Sequence, residues 1–228
     1  MSSEFENVVS EIKENLRTLH RHVTNALVQS MQAFEDLDEE CATQAATITE
    51  DIDQIHANIE ETIFRAVAKY QPTDFSLRQM IAFVHTLNSL HRVGRYSNKI
   101  VEIVYMSQDL EHFKDLESLP YLAELAETSL DIAMRAILES DLTELEELEK
   151  LETQSDIETA DMFEEIADYL GRRHDISEIA MHYIIVGRYC ERAADHALSI
   201  AEAAYYMVNG KHKKLGLKHE TESKSMLD

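Results

Sequence analysis

Glu191 and Asp195 stand four residues apart in the run Gly187-Arg188-Tyr189-Cys190-Glu191-Arg192-Ala193-Ala194-Asp195-His196-Ala197-Leu198-Ser199-Ile200-Ala201-Glu202. The run reads as helix, because Cys190, Ala193, Ala194, Ala197, Ile200 and Ala201 recur at helical spacing. At i,i+4 the two carboxylates lie one above the other on a single face. Two like charges so placed repel by a few tenths of a kcal/mol, so they call for either a cation between them or full solvation. Their chemistry is that of oxygen ligands for a hard cation. A second charged feature has the opposite sign: Arg78, Arg92, Arg95 and Lys99 make a locally basic stretch. These residues either pair with acids on neighbouring helices or meet an acidic partner surface.

Enzyme chemistry finds little support. There is no glycine-rich phosphate loop and no nucleophile elbow. Cys41 and Cys190 lack metal-type spacing and read as free thiols of a reducing compartment. The histidines, His182 and His196 among them, read as packing or surface residues rather than ligands, and Tyr183, Tyr189, Tyr205 and Tyr206 as core and rim. A ferritin-like di-metal protein would need paired Glu-x-x-His motifs, whereas the chain offers the single Asp53-x-x-His56.

The elements that must position these groups are helices. Two prolines and five glycines in 228 residues are too few for a sheet-rich chain. Phe5, Val8, Ile12, Leu16, Leu19, Val23, Leu27, Met31 and Phe34 step in threes and fours, which predicts a first helix over 3–34 with a bundle seam. Asp36-Leu37-Asp38 interrupts it and offers an N-cap. A second helix carries Ala45, Ile48, Ile52, Ile55, Ile59, Ile63 and Val67 and stops before Pro72. Thr73 or Asp74 caps a third that runs to Val104. Residues 108–118 are polar and aperiodic and read as a linker. Beyond it Leu122, Leu125, Ser129, Ile132 and Ala136 mark a fourth helix. A fifth, capped by Asp141, carries Leu145, Leu148, Leu151, Ile157, Phe163, Ile166 and Leu170 as its apolar residues. A sixth, capped by Asp175, runs to Asn209-Gly210.

At an offset of 100, Arg92 falls on Arg192, Ile100 on Ile200, Glu102 on Glu202 and Tyr105 on Tyr205. That register suggests a duplication. The expected fold is all-α: two tandem antiparallel three-helix bundles related by pseudo-twofold symmetry. They occupy residues 1–107 and 119–210, joined by linker 108–118, with a polar, disordered tail over 211–228. A net charge of −23 argues against nucleic acid and against an anionic membrane surface. No run is long and apolar enough for direct membrane insertion, and the N-terminus lacks the basic and apolar regions of a signal peptide, so a cytoplasmic location is expected.

The order of these motifs resembles one family. Lys69-Tyr70-Gln71-Pro72-Thr73 with Leu77-Arg78 is similar to the Gln-Pro corner of the PhoU family. Glu191-Arg192-Ala193-Ala194-Asp195-His196 is similar to its signature helix, and Tyr205-Tyr206-Met207-Val208-Asn209-Gly210 to its last turn. The resemblance implies tandem bundles whose facing acidic pairs hold iron, zinc, magnesium or similar ions. Carried onto this chain, those pairs are Glu152 and Asp156 on the fifth helix and Glu191 and Asp195 on the sixth. Ser199 stands where the family often has Asn. In the first bundle the matching positions hold Thr49, Asp53, His91, Arg95 and Lys99, a set that would repel a cation, and an Arg95–Asp53 ion pair is expected in its place. The resemblance further implies a homodimer and a regulator, not an enzyme. Such a regulator negatively modulates phosphate uptake and phosphate-responsive signalling by binding the phosphate transporter ATPase and a sensor kinase. A PhoU-like subunit of another ion transporter or channel, such as one for potassium, is the alternative.

Overall fold

The computed structural model describes residues 3–216, and no strand occurs among them. Six long helices follow one another: α1 (Ser3–Asp36), α2 (Glu39–Tyr70), α3 (Asp74–Met106), α4 (Ser118–Glu139), α5 (Leu145–Leu170) and α6 (Ser177–Asn209). A single 3-10 turn, His174–Ile176, leads into α6. None of these helices is long and apolar enough to cross a membrane.

Local chemistry sets the helix ends. The seam residues Ile12, Leu16, Leu19, Val23, Leu27 and Phe34 of α1 are fully buried, and each such side chain contributes about 1.5–3 kcal/mol on leaving water. Asp38 caps α2 as its spacing predicted: its Oδ1 accepts from the Glu40 and Cys41 amides at 2.7 and 3.2 Å. At the far end Gln71 turns left-handed (φ 45°), which lets its amide donate to the Val67 carbonyl just before Pro72. Thr73 occupies the N-cap position of α3, but its side chain makes no capping bond. Asp141 shapes the turn before α5, accepting from the Thr143 amide at 3.0 Å, and the helix begins only at Leu145.

α1, α2 and α3 form one bundle and α4, α5 and α6 the other, with α3 packed along α6 and α1 against α4. The α3–α6 pair is antiparallel. At one end Arg78 Nε donates to the Met207 carbonyl at 3.2 Å, and at the other His182 Nδ1 meets Ser107 Oγ at 2.7 Å. The duplication is visible in burial: residues 81–100 and 181–200 share one pattern, departing from it only at Ser89/Tyr189 and Asn98/Leu198. The connection after α3 is pinned to both bundles. His112 Nε2 donates to the Phe34 and Glu35 carbonyls at 3.1 and 3.0 Å, which leaves Nδ1 to accept the Tyr183 hydroxyl at 2.8 Å.

Two expectations require correction. In α5, Ile157 points outward and is 49% exposed, while the inner face consists of Leu148, Ser155, Thr159, Met162 and Ile166. The tail does not leave the surface at once. Gly210 (φ 66°) ends α6, and residues 211–216 fold back along it. His212 stacks on Tyr206 at 4.2 Å, and Leu215 is buried with its amide donating to Glu202 Oε1 at 3.0 Å. A single apolar residue with a bonded amide is enough to anchor a short polar segment. The remainder of the expected disordered tail lies outside the described residues.

Candidate metal centre

Glu152 and Asp156 lie one turn apart on α5, and Glu191 and Asp195 one turn apart on α6. Antiparallel packing of the two helices brings all four into one electrostatic cluster. Burial pushes the Glu152 carboxyl up to about 7, and the negative charges of Asp156, Asp195 and Glu149 add to the effect. Burial raises Asp195 as well, with the Asp156 charge next and Arg188 and Arg192 opposing it. Glu191 is raised by burial and by Asp195 and Asp156, against the pull of Arg188.

Glu152 is the innermost member. Its Oε2 is buried and has no hydrogen-bond partner among the described residues. The hydroxyls of Ser155 and Thr159, on the same inner stripe of α5, are buried and unpartnered too. An orphaned buried carboxylate oxygen is costly unless a cation or a proton satisfies it. The donor set is all oxygen and strongly negative, which fits hard or borderline cations. Four residues that the resemblance singled out are therefore gathered, and the fit to a cation is chemical.

The cluster is not closed around an ion. Among the described residues no three His, Cys, Asp or Glu side chains stand in a metal-holding arrangement. One cause is visible: Glu191 is turned to Arg188, a turn earlier on its own helix, in an ion pair. A cation has to draw Glu191 from that guanidinium. The folded-back tail borders the site as well. Gly216 lies against the Glu152 carboxyl so closely that a Cβ there would stand 2.9 Å from Oε1. Lys213 faces Glu149 at 3.9 Å and Lys214 faces Glu202 at 3.5 Å. Sequence reasoning missed the tail, Ser155 and Thr159. The legible signal was two hydroxyl residues three and seven positions after Glu152, on what should be an apolar stripe.

The first bundle handles the same place differently. His91 Nε2 bonds Asp53 Oδ1 at 2.7 Å, and the His56 ring tilts against His91 with centroids 4.5 Å apart. The expected Arg95–Asp53 pair does not form. Bonds from His56 to Asn88, His91 to Asp53 and Thr49 to Asn98 fix the register of the two helices. That register sets Asp53 level with His91 and Arg95 a turn further, opposite Thr49 and Glu50. These residues line a cleft of about 440 Å³ that also includes Asn98.

A family model described as the PhoU domain matches residues 16–104 and again 119–204, one match per bundle. The phosphate-specific transport system accessory protein PhoU homolog 1 of Thermotoga maritima is 25% identical over 211 residues, which covers 92% of this chain and 91% of that protein. The phosphate-specific transport system accessory protein PhoU of Escherichia coli is 22% identical over 210 residues, covering 92% and 87%. The crystal structure of PhoU from Pseudomonas aeruginosa superposes with a TM-score of 0.84 at 23% identity, over 91% of this chain and all of that one. The phosphate transport system regulatory protein PhoU from Streptococcus pneumoniae superposes with a TM-score of 0.83 at 21% identity, over 92% and 100%. The tandem-bundle fold is thus shared along nearly the whole chain.

Proposed function

The chain belongs to the PhoU family, and from that premise we propose that it is an accessory regulator of phosphate-specific transport that acts by contact with partner proteins rather than by turnover. The observation that carries this reading is the paired match, bundle for bundle, to relatives named as accessory proteins of that transport system. In this reading the protein works in the cytoplasm as a homodimer. It restrains phosphate uptake by docking on the transporter ATPase and relays phosphate status to a sensor kinase. Helices of 22 to 34 residues supply long faces for such contacts.

A divalent or trivalent cation held by Glu152, Asp156, Glu191 and Asp195 belongs to the same proposal, supported by the orphaned Glu152 oxygen. When bound, it supplies neutralising charge that lets α5 and α6 approach. The chain's own contributions are to hold four carboxylates on two rigid helices, to keep water from the inner oxygen of Glu152, and to release Glu191 from Arg188. Because His91 and Arg95 replace acids in the first bundle, one ion per chain is expected.

The replaced first site also favours a second reading, in which the same scaffold serves another ion transporter or channel, such as one for potassium. One experiment separates the two. A deletion strain is complemented with the wild-type gene, and uptake of phosphate and of potassium is followed at high and low phosphate. Restored restraint of phosphate uptake alone supports the first reading. An effect confined to potassium supports the second, and no effect on either ion refutes both.

A further inference from the structure

In a chain with 44 acids and 21 bases, a guanidinium rarely lacks a partner. Every other arginine here bonds an acid, a hydroxyl or a carbonyl. Arg92, Arg95 and Arg192 make no hydrogen bond or ion pair among the described residues. Arg95 lines the α2–α3 cleft, whereas Arg92 and Arg192 lie near the middle of the α3–α6 pair. There Tyr96 stacks on Tyr189 with centroids 5.5 Å apart and bonds His196 Nε2 at 3.2 Å. Burial lowers His196, and the positive charges of Arg92 and Arg192 lower it further. Asp195 sits a turn from Arg192, on the side of the carboxylate cluster, and makes no ion pair with it.

The duplication extends this centre in both directions. Ile81, His85 and Arg92 share one outer stripe of α3, and Met181, Ile185 and Arg192 occupy the same positions of α6. Because the helices are antiparallel, the two stripes run outward from the arginines to opposite ends. Eleven residues at 1.5 Å each place each apolar end about 17 Å from the centre, about 33 Å in all. Leu77 and Ile81 are exposed at one end, and Met106, Met181 and Ile185 at the other. The first end is a groove of about 580 Å³ between Ile81 and His85 of α3 and Ser199, Ala203 and Tyr206 of α6. Lys213 and Lys214 of the folded-back tail stand at its rim.

We propose that this α3–α6 face docks one amphipathic helix of a partner protein, about 22 residues long, apolar at both ends and acidic at its middle. The proposal rests on the reading of this protein as a regulator that works by contact, and it gives that contact a place and a charge. Complementarity selects the occupant. A second copy docked face to face would set arginine against arginine. An anionic bilayer would meet the field of a chain of net charge −23. A helix with central carboxylates meets the free guanidiniums and seats its apolar ends in the flanking patches, as helix-in-groove recognition requires.

The probes are three synthetic 22-residue amphipathic helices with leucines at both ends and a centre of glutamates, glutamines or lysines, titrated against the full-length protein. The glutamate helix binds best, roughly tenfold more tightly than the glutamine helix, as two exposed ion pairs allow, and its affinity falls with added salt. In Arg92→Glu/Arg192→Glu the order reverses and the lysine helix binds best. In Ile81→Asp/Met181→Asp all three bind weakly while thermal melting stays near that of the wild type, these residues being exposed. A glutamate preference that survives the double charge reversal overturns the proposal. So does the lack of any preference, or equal binding to phosphatidylserine vesicles. These titrations read the surface alone, whereas the uptake assay reads the regulatory role, so either can fail without the other.

Discussion

Replacing Glu152 by Gln separates the cost of a buried charge from the benefit of a bound cation. In the folded protein the Glu152 carboxyl is raised from 4.5 to about 7. Between those values the folded chain holds a proton that the unfolded chain has released. The contribution of Glu152 to stability is therefore fully present below pH 4.5 and is lost as pH rises through 7. The difference between 4.5 and about 7 corresponds to at most about 3.4 kcal/mol. Half-burial and sharing of charge with Asp156 and Asp195 reduce this to about 1–2 kcal/mol. In EDTA at pH 8, Glu152→Gln is thus expected to be more stable than the wild type by about 1–2 kcal/mol, or about 2–8 °C in Tm for a chain of this size. Near pH 4.5 that advantage vanishes. Manganese or zinc at a hundredfold excess over Kd stabilises the wild type by about 2.7 kcal/mol and the variant by much less. Differential scanning calorimetry with EDTA or metal, at pH 4.5, 6 and 8, measures each quantity. The reasoning is refuted by a variant less stable than the wild type in EDTA at pH 8, or by an equal metal-induced shift in both proteins.

Three other perturbations test the frame around that site. A Cβ at Gly94 would stand 2.7 Å from Ile52 Cδ1, so Gly94→Ala costs about 1 kcal/mol net of its gain in helix propensity. Adding Ile52→Val recovers most of it, and a urea-denaturation cycle without coupling would contradict the packing described. His112→Ala removes the bonds that tie the linker to the Phe34 and Glu35 carbonyls and to Tyr183. Its expected cost is about 2–3 kcal/mol, read from the same denaturation curves, and a loss below about 0.5 kcal/mol would mean the linker is not held there. Leu215→Asp frees the segment lying against Glu152 and lifts Lys213 and Lys214 away from their acids. Tryptic cleavage in 211–214 accelerates and calorimetric affinity for manganese rises several-fold; slower cleavage or weaker binding would contradict the folded-back arrangement.

Legibility in the sequence followed how many residues shared each signal. The α1 seam carries nine residues, and all of them except Val8 are buried. The duplication was readable from four matches at one offset, and the burial patterns of α3 and α6 extend it. α5 was readable as a helix: Leu145, Leu148 and Ile166 are buried, and Leu151, Phe163 and Leu170 pack beside them. Of the apolar residues read for it, Ile157 points away, and Ser155 and Thr159, which apolarity passes over, complete the inner face. The ordered tail depends on Leu215 alone, and one apolar residue in a polar run carries no period. The four carboxylates were legible only through resemblance, since 44 acids on helices generate i,i+4 pairs by chance. The Arg95–Asp53 expectation failed on register. A shift of one turn decides which base meets an acid, and spacing along a single helix says nothing about the level of its neighbour.

Two halves with one backbone plan thus treat their carboxylates differently. The frame cannot be the cause, because residues 81–100 and 181–200 are buried alike almost position by position. The side chains at matching positions decide. Asp53 faces a histidine in the first half, and Arg95 lines the α2–α3 cleft beside it without pairing. In the second half the charges of Asp156 and Asp195 bear on Glu152, and the one guanidinium paired there, Arg188, serves Glu191 from the same helix. Both halves therefore leave a base uncompensated on the α3–α6 face, and the second half leaves an acid as well. An unpaired base exposed at the α3–α6 crossing is inexpensive, because water solvates it until an acidic partner arrives. An unpaired carboxylate oxygen under the tail is expensive, because water does not reach it. That difference in cost predicts that a cation acts on folding and stability, whereas the arginine face acts on association and leaves the fold unchanged.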